Sequence, residues 1–176
     1  IDDRADVELA GIEAGDDLLG DGRGVGVLDA LLAGDAVDVL DDLVAEAALS
    51  HEPRSITSAV NPRSAGGPHD FSSEGDYWWP DPAKPDGPYI QRDGLTNPDN
   101  FVAHRQLLLG FARDFGALAA AWKITGDERF AAAAVRHAHK WFVEPATRMN
   151  PNLLFSQAIK GRSTGRSIGV IDTLHL

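Results

Sequence analysis

Gly66-Gly67-Pro68-His69-Asp70 and Glu74-Gly75-Asp76-Tyr77-Trp78-Trp79-Pro80-Asp81-Pro82 fall within one short stretch, Ser64 to Pro82. The stretch holds a histidine that can move a proton, four carboxylates (Asp70, Glu74, Asp76, Asp81) and an aromatic trio with polar tips. Its glycine and proline pairs forbid a regular helix or a central strand, so these side chains ride on a loop. A long loop carrying such residues is usually functional and held by a scaffold. Rings with an apolar face and a hydrogen-bonding edge suit a ligand of the same kind, such as a sugar. The competing explanation is that the tryptophans plug a helical core from a covering loop. Trp78 and Trp79 are neighbours, so on an extended segment they point opposite ways. One can face sugar while the other anchors the loop.

A second constellation is basic. Gln157, Lys160, Arg162 and Arg166 cluster with Ser156, Ser163 and Thr164. Arginine grips a carboxylate through a planar two-pronged fork, whereas lysine offers a point charge. A solvated basic loop without a ligand is the alternative. Asn150 and Asn152 flank Pro151 and suit either hydroxyl contacts or a turn. Arg105 lies off its helix's apolar stripe and is expected to pair with a loop carboxylate, Asp76 or Asp99. His137 and His139 stand two residues apart and do not share a helix face. With no cysteine in the chain, neither a disulfide framework nor a thiolate metal site is available, and no metal or cofactor is expected. Gly20 to Gly26 is glycine-rich but follows no strand, so it is not read as a phosphate loop.

Helices must position these groups. Phe101, Leu108, Phe111, Phe115, Leu118 and Trp122 recur at three-, four- and seven-residue steps, with Asn100 as N-cap and Gly126 as the stop. Asp127 caps a second helix with Phe130, Ala134, Ala138 and Trp141 inward, closed before Pro145. The short turn between them predicts a hairpin. A third helix is expected from about Ser167, with Ile168, Ile171 and Leu174 on one side. Val27–Ala48 is read as helical, with Leu28, Leu31, Leu32, Val39, Leu43 and Ala47 sharing a face. Ile1–Gly26 is read as poorly ordered or a loose helix. No strand-period segment of useful length is found, so the expected class is all-α: helical hairpins in a bundle, solenoid or toroid, with a long Pro/Gly-rich loop.

Charge divides the chain. Residues 1–50 carry 14 acidic and 2 basic side chains and no aromatic or proline, while residues 51–176 carry 13 and 14. We therefore expect an acidic N-terminal segment, 1–50, and a separate domain, 51–176. The acidic balance argues against nucleic acid, which needs a basic footprint. No run approaches the ~18 apolar residues of a membrane span.

The run from Ser55 onward resembles the alginate lyase family of polysaccharide lyases. The resemblance is carried by Ser64–Asp70, Glu74–Pro82, Pro85–Tyr89, Asn97–Asn100, His104-Arg105, Thr125–Asp127, Met149–Asn152, Gln157–Ile159 and Ile171–Leu176. It implies an α/α toroid, closed or incomplete, whose loops line a groove for an anionic polysaccharide, and β-elimination on alginate or a related polyuronate. It also implies a periplasmic or secreted setting. The substrate-facing set it supports is His69, Tyr77, Trp78, Trp79, Gln157, Arg162 and Arg166. In the family an Asn-His pair and a later Arg and Tyr do the chemistry. This chain has no Asn-His dipeptide and no Tyr after Tyr89, so the catalytic residues are expected beyond Leu176, in the rest of a larger enzyme. Family members commonly carry an aromatic hydroxyl residue where this chain has Ser72, a change expected to cost a contact over the groove. Two other readings stand beside the lyase: a glycoside hydrolase using Asp70 with Asp76 as acid and base, and a noncatalytic sugar-binding or scaffold fragment.

Overall fold

The strongest apolar stripe of the sequence folds as one long helix, and everything that bears on the site is hung from it. The computed structural model of the chain describes residues 36–174. In chain order these are α1 (Ala36–Leu49), β1 (Ser72–Glu74), β2 (Trp78–Trp79), β3 (Ile90–Gln91), α2 (Ala103–Thr125), α3 (Glu128–Phe142) and β4 (Phe155–Ala158). Single 3-10 turns occupy Ile56–Ser58 and Ser167–Thr173. Contacts divide the chain at Leu40/Asp41, and all the side-chain structure described here belongs to the unit Asp41–Leu176. The expectations for Ile1–Gly26 and for Leu28, Leu31 and Leu32 lie outside the described residues.

The hairpin forms where the caps put it. Gly126 takes a left-handed backbone (φ 71°) and returns its N–H to Trp122, while the Asp127 carboxylate accepts the Arg129 N–H and starts α3. The other end of α2 differs from expectation. Asn100 is not its cap; Val102 is, without a side-chain bond. The Asn100 amide instead donates to the Gly75 carbonyl at 2.9 Å, because the buried loop has a carbonyl to satisfy there.

Two apolar clusters hold the unit. Ala45 and Ala48 of α1 meet Leu118, Ala121, Phe130, Ala133 and Ala134 of the hairpin. Ile56, Phe71, Leu108 and Trp141 form the second, with the Phe111 ring tilted against Trp141 at 5.3 Å between centroids. Small side chains let α1 approach closely, and so its inner face is Ala45/Ala48 while Leu43 and Ala47 are exposed. Trp122, assigned to the stripe, is 44% exposed near the helix end. Phe71 places the start of the signature loop directly on the second cluster.

The all-α expectation requires correction: β1 pairs in parallel with β4, and β2 antiparallel with β3. These strands are two to four residues long, too short for a period-two pattern, and β1 pairs across some eighty residues of sequence. The expected third helix is the 3-10 turn Ser167–Thr173, which buries Gly169 and Asp172 and leaves Ile168, Ile171 and Leu174 exposed. A Cβ on Gly169 would lie 2.4 Å from Ser156 Cβ, so this turn meets β4 through its glycine and its acid rather than its apolar side chains.

His104 ties α2 to β1. Its Nδ1 accepts the Ser72 N–H at 3.0 Å and its Nε2 faces the Ala59 carbonyl at 3.2 Å. That pattern requires the neutral Nε2–H ring, because a second proton on Nδ1 would face a donor. Burial pushes the ring's pKa below its ordinary value, and backbone carbonyls only partly offset this. Burial likewise lowers His137. A lowered histidine favours folding fully above the unfolded-state value, near 6.5, and that contribution fades as pH falls from there toward the folded value. We therefore predict a falling urea midpoint between about pH 7.5 and about pH 5. In H104Q the drop should be smaller; an equal drop in both proteins would assign it elsewhere.

Candidate functional site

The β1–β4 pairing is irregular: two steps along Ser72–Glu74 match three along Phe155–Ala158. The extra residue is Gln157, the one non-glycine residue with positive φ (56°) among the described residues. A bulge of this kind bends the strand and re-aims a side chain, and such bulges gather next to functional sites. Every polar atom of Gln157 is engaged. Its N–H donates to Ser73 Oγ (2.7 Å), its Nε2 to Asp172 Oδ1 (3.0 Å), and its carbonyl and Oε1 accept from Arg166 Nε (2.8 Å) and Nη2 (3.1 Å).

Asp172 is the hub beneath the bulge. It also accepts the Ser73 hydroxyl, and Arg105 Nε stands 3.2 Å from its Oδ1. That Nε is otherwise unpartnered and is misaligned for a hydrogen bond, so the contact is charge attraction. Arg105 also forks onto Asp76, at 2.7 and 3.3 Å, and donates to the Glu74 carbonyl. The pairing expected for Arg105 is thus found with Asp76. Glu74 meets Arg63 in a two-pronged bond at 2.6 Å each and accepts the Phe101 N–H. Burial alone would raise the Glu74 carboxyl, but these donors outweigh it and leave the pKa below the ordinary value.

A cavity of about 740 Å³ opens against this base, walled by Arg63, Ala65, Glu74 and the run Ala158–Thr164. Three cations, Arg63, Lys160 and Arg162, face it with one carboxylate, Glu74. Arg162 donates to the Tyr89 carbonyl and lies over the Trp78 ring at 5.0 Å; Lys160 lies over Tyr89 at 5.7 Å. Trp78 is packed on Gly75, where a Cβ would come within 2.7 Å of the indole and 3.0 Å of Arg166 Nη2. The glycine is what lets the ring and the guanidinium close together on the strand.

The seven residues singled out by sequence separate into groups. Trp78 and Arg162 form one stack, and Arg166 and Gln157 form one hydrogen-bonded pair beside it. Gln157 is buried, and both ends of its side-chain amide are already hydrogen-bonded within the protein. Arg166 lines a smaller cavity of about 370 Å³ with Leu153, Leu154 and Val170. Trp79 is the loop anchor: its indole donates to Leu95 O at 2.7 Å, and Arg92 lies over its ring. Tyr77 is 43% exposed. His69 stands apart, its Nδ1 donating to Arg148 O at 2.7 Å. Asp70 accepts from Gly67, Asn150 and Asn152, so both asparagines knit the loop to the 148–152 segment. The Ser72 hydroxyl is buried against Asn61 and His104. Arg63 was not found by sequence; its signal, an Arg eleven residues before a motif glutamate, is too common to read.

Among the described residues no cluster of His, Asp or Glu could hold a metal ion. No helix there is long and apolar enough to cross a membrane.

Comparison with known proteins bears on the family and the fold. The family model described as alginate lyase matches residues 55–176. The fold is similar to the crystal structure of an alginate lyase from Bacteroides ovatus, with 34% sequence identity and a TM-score of 0.66. The match covers 84% of this chain and 41% of that one, so the chain spans less than half the length of its structural relative. A search of curated proteins finds no match. The motifs from Ser64 to Leu176 and the architecture that gathers them agree on one assignment: the chain belongs to the alginate lyase family.

Proposed function

We propose that residues 51–176 supply the substrate-binding face of a polysaccharide lyase that cleaves alginate or a related polyuronate by β-elimination. The observation that carries this reading is the cavity in which Arg63, Lys160 and Arg162 outnumber the single carboxylate Glu74. A polyuronate offers one carboxylate per sugar. Elimination needs that carboxylate neutralised, the C5 proton removed and the departing O4 protonated, with charge stabilised where it develops. Lys160, Arg162 and Arg166 suit the first of these tasks. Arg63 is already committed to Glu74 and serves mainly to shape the wall. Trp78 carries Arg162 on one face, so its main service is to hold a guanidinium in place and its second is to offer an apolar surface.

The hydrolase reading loses support from the same geometry. Asp70 is tied down by three donors and Asp76 by Arg105, so neither is free to serve as acid or base. Residues 1–45 are proposed to contribute little to the substrate region, and a periplasmic or secreted setting fits a polymer substrate.

The test is calorimetric titration with an alginate-derived uronate trisaccharide. R162A should weaken affinity about tenfold, the scale of one charge-assisted hydrogen bond. It should also flatten the salt dependence, since the lost partner is a carboxylate. Unchanged affinity in R162A with the fold intact counts against the cavity. Ultraviolet absorbance of an unsaturated uronate, produced from polymer, distinguishes elimination from hydrolysis.

A further inference from the structure

We infer that Gln157 is a positioning residue: with Asp172 it locks the Arg166 guanidinium in the orientation that meets a uronate carboxylate, and it does not itself touch the sugar. The inference rests on the proposed reading of Arg166 as a substrate contact. Three observations carry it. Gln157 sits in a left-handed conformation that a non-glycine residue adopts at a cost, here at the extra residue of a bulge. Its side chain is buried and divided between two partners, Nε2 to Asp172 and Oε1 from Arg166. The Asp172 bond fixes which way round the amide lies, so the oxygen is the end presented to Arg166.

Arg166 receives the benefit. Nε and Nη2 are bound to the Gln157 carbonyl and Oε1, so the plane of the guanidinium is set by one residue. Nη1 makes no hydrogen bond to the described residues and is left to a ligand. An arginine held by its own fork loses little rotamer freedom when a carboxylate arrives, which is how preorganisation raises affinity. Gly75, lacking a Cβ, lets Arg166 Nη2 and the Trp78 indole both lie against the same backbone.

The experiment compares Q157G, R166A and the double variant by calorimetric titration with the uronate trisaccharide, with urea melts as a folding control. Glycine accepts φ 56° without strain, so Q157G should fold; Q157N, which also tolerates that backbone, replaces it if it does not. R166A should weaken binding about tenfold and Q157G about threefold to tenfold. In the R166A background Q157G should add nothing, because it acts through Arg166. The Arg166 Nη2–H resonances in NMR spectra of the sugar-free protein should lose protection from solvent exchange in Q157G, while the Nε–H bond to the residue-157 carbonyl remains. Full affinity in Q157G beside a weakened R166A overturns the inference, as does a Q157G effect that persists without Arg166. Unchanged binding in R166A would instead remove Arg166 from the site, and the exchange measurement would then decide whether the clamp exists.

Discussion

Trp141→Ala is expected to lower the stability of the 41–176 unit by about 3–5 kcal/mol, the range for emptying a buried tryptophan site. Trp141 is fully buried, and it joins Ile56, Phe71 and Leu108 into the cluster on which the signature loop stands. The nearest ring, Phe111, is already stacked on Phe115 and only tilts against Trp141, so it is not placed to fill the void. A domain stable by roughly 5–15 kcal/mol would lose a large part of its margin. Trp141→Phe provides the contrast. The Trp141 Nε1–H is buried with no hydrogen-bond partner, a defect that costs about 1–3 kcal/mol. Phenylalanine removes that donor while sacrificing part of the ring, so the two effects oppose, and the change should stay within about 1 kcal/mol. Urea denaturation of the three proteins checks this. A Phe loss well above about 1 kcal/mol would show that the indole nitrogen is satisfied in solution.

The helices were legible because their signals are local. A left-handed glycine at 126 and an aspartate cap at 127 mark a turn wherever the rest of the chain lies. The short strands were not, because β1 and β4 are made by pairing and not by propensity. Ser72–Glu74 contains no β-branched or aromatic residue, and only its distant partner Phe155–Ala158 gives it a strand's hydrogen bonds. The final turn was misread for a related reason. Ile168, Ile171 and Leu174 resemble an inner face, but the close approach of Gly169 to Ser156 turns that face outward.

The site was legible as a set of chemistries and not as a set of roles. Residue types named the aromatic loop and the basic run, and the structure does bring Trp78 and Arg162 together. What types cannot tell is which polar groups are already spent. Gln157 reads in sequence as a free amide, yet all four of its polar atoms are occupied. Asp172 reads as one letter of a terminal motif, yet it joins residues from β1, β4 and α2.

Asp172→Asn should therefore destabilise the unit by about 3 kcal/mol, the low end of the roughly 3–5 kcal/mol seen when one partner of a buried ion pair is removed. The low end applies because Arg105 keeps Asp76 as a second, half-exposed partner. The cost arises in two places. Arg105 Nε is left facing a neutral group at 3.2 Å in a buried setting. The carboxylate also accepts on both oxygens, from Ser73 Oγ and from Gln157 Nε2, and an amide can accept on only one. If the new Nδ2 faces Ser73, the hydroxyl loses its acceptor; if it faces Gln157, two amide donors oppose each other. Ser73→Ala strands no charge but leaves the buried Gln157 N–H without its acceptor, and should cost about 2 kcal/mol. Because Asp172 orients the Gln157 amide, the D172N protein that remains folded should also bind the uronate trisaccharide more weakly, whereas S73A leaves that amide in place. Urea midpoints and titrations on both variants give the four numbers needed. A D172N protein within about 1 kcal/mol of the parent would mean that the buried carboxylate is not the hub that holds the bulge.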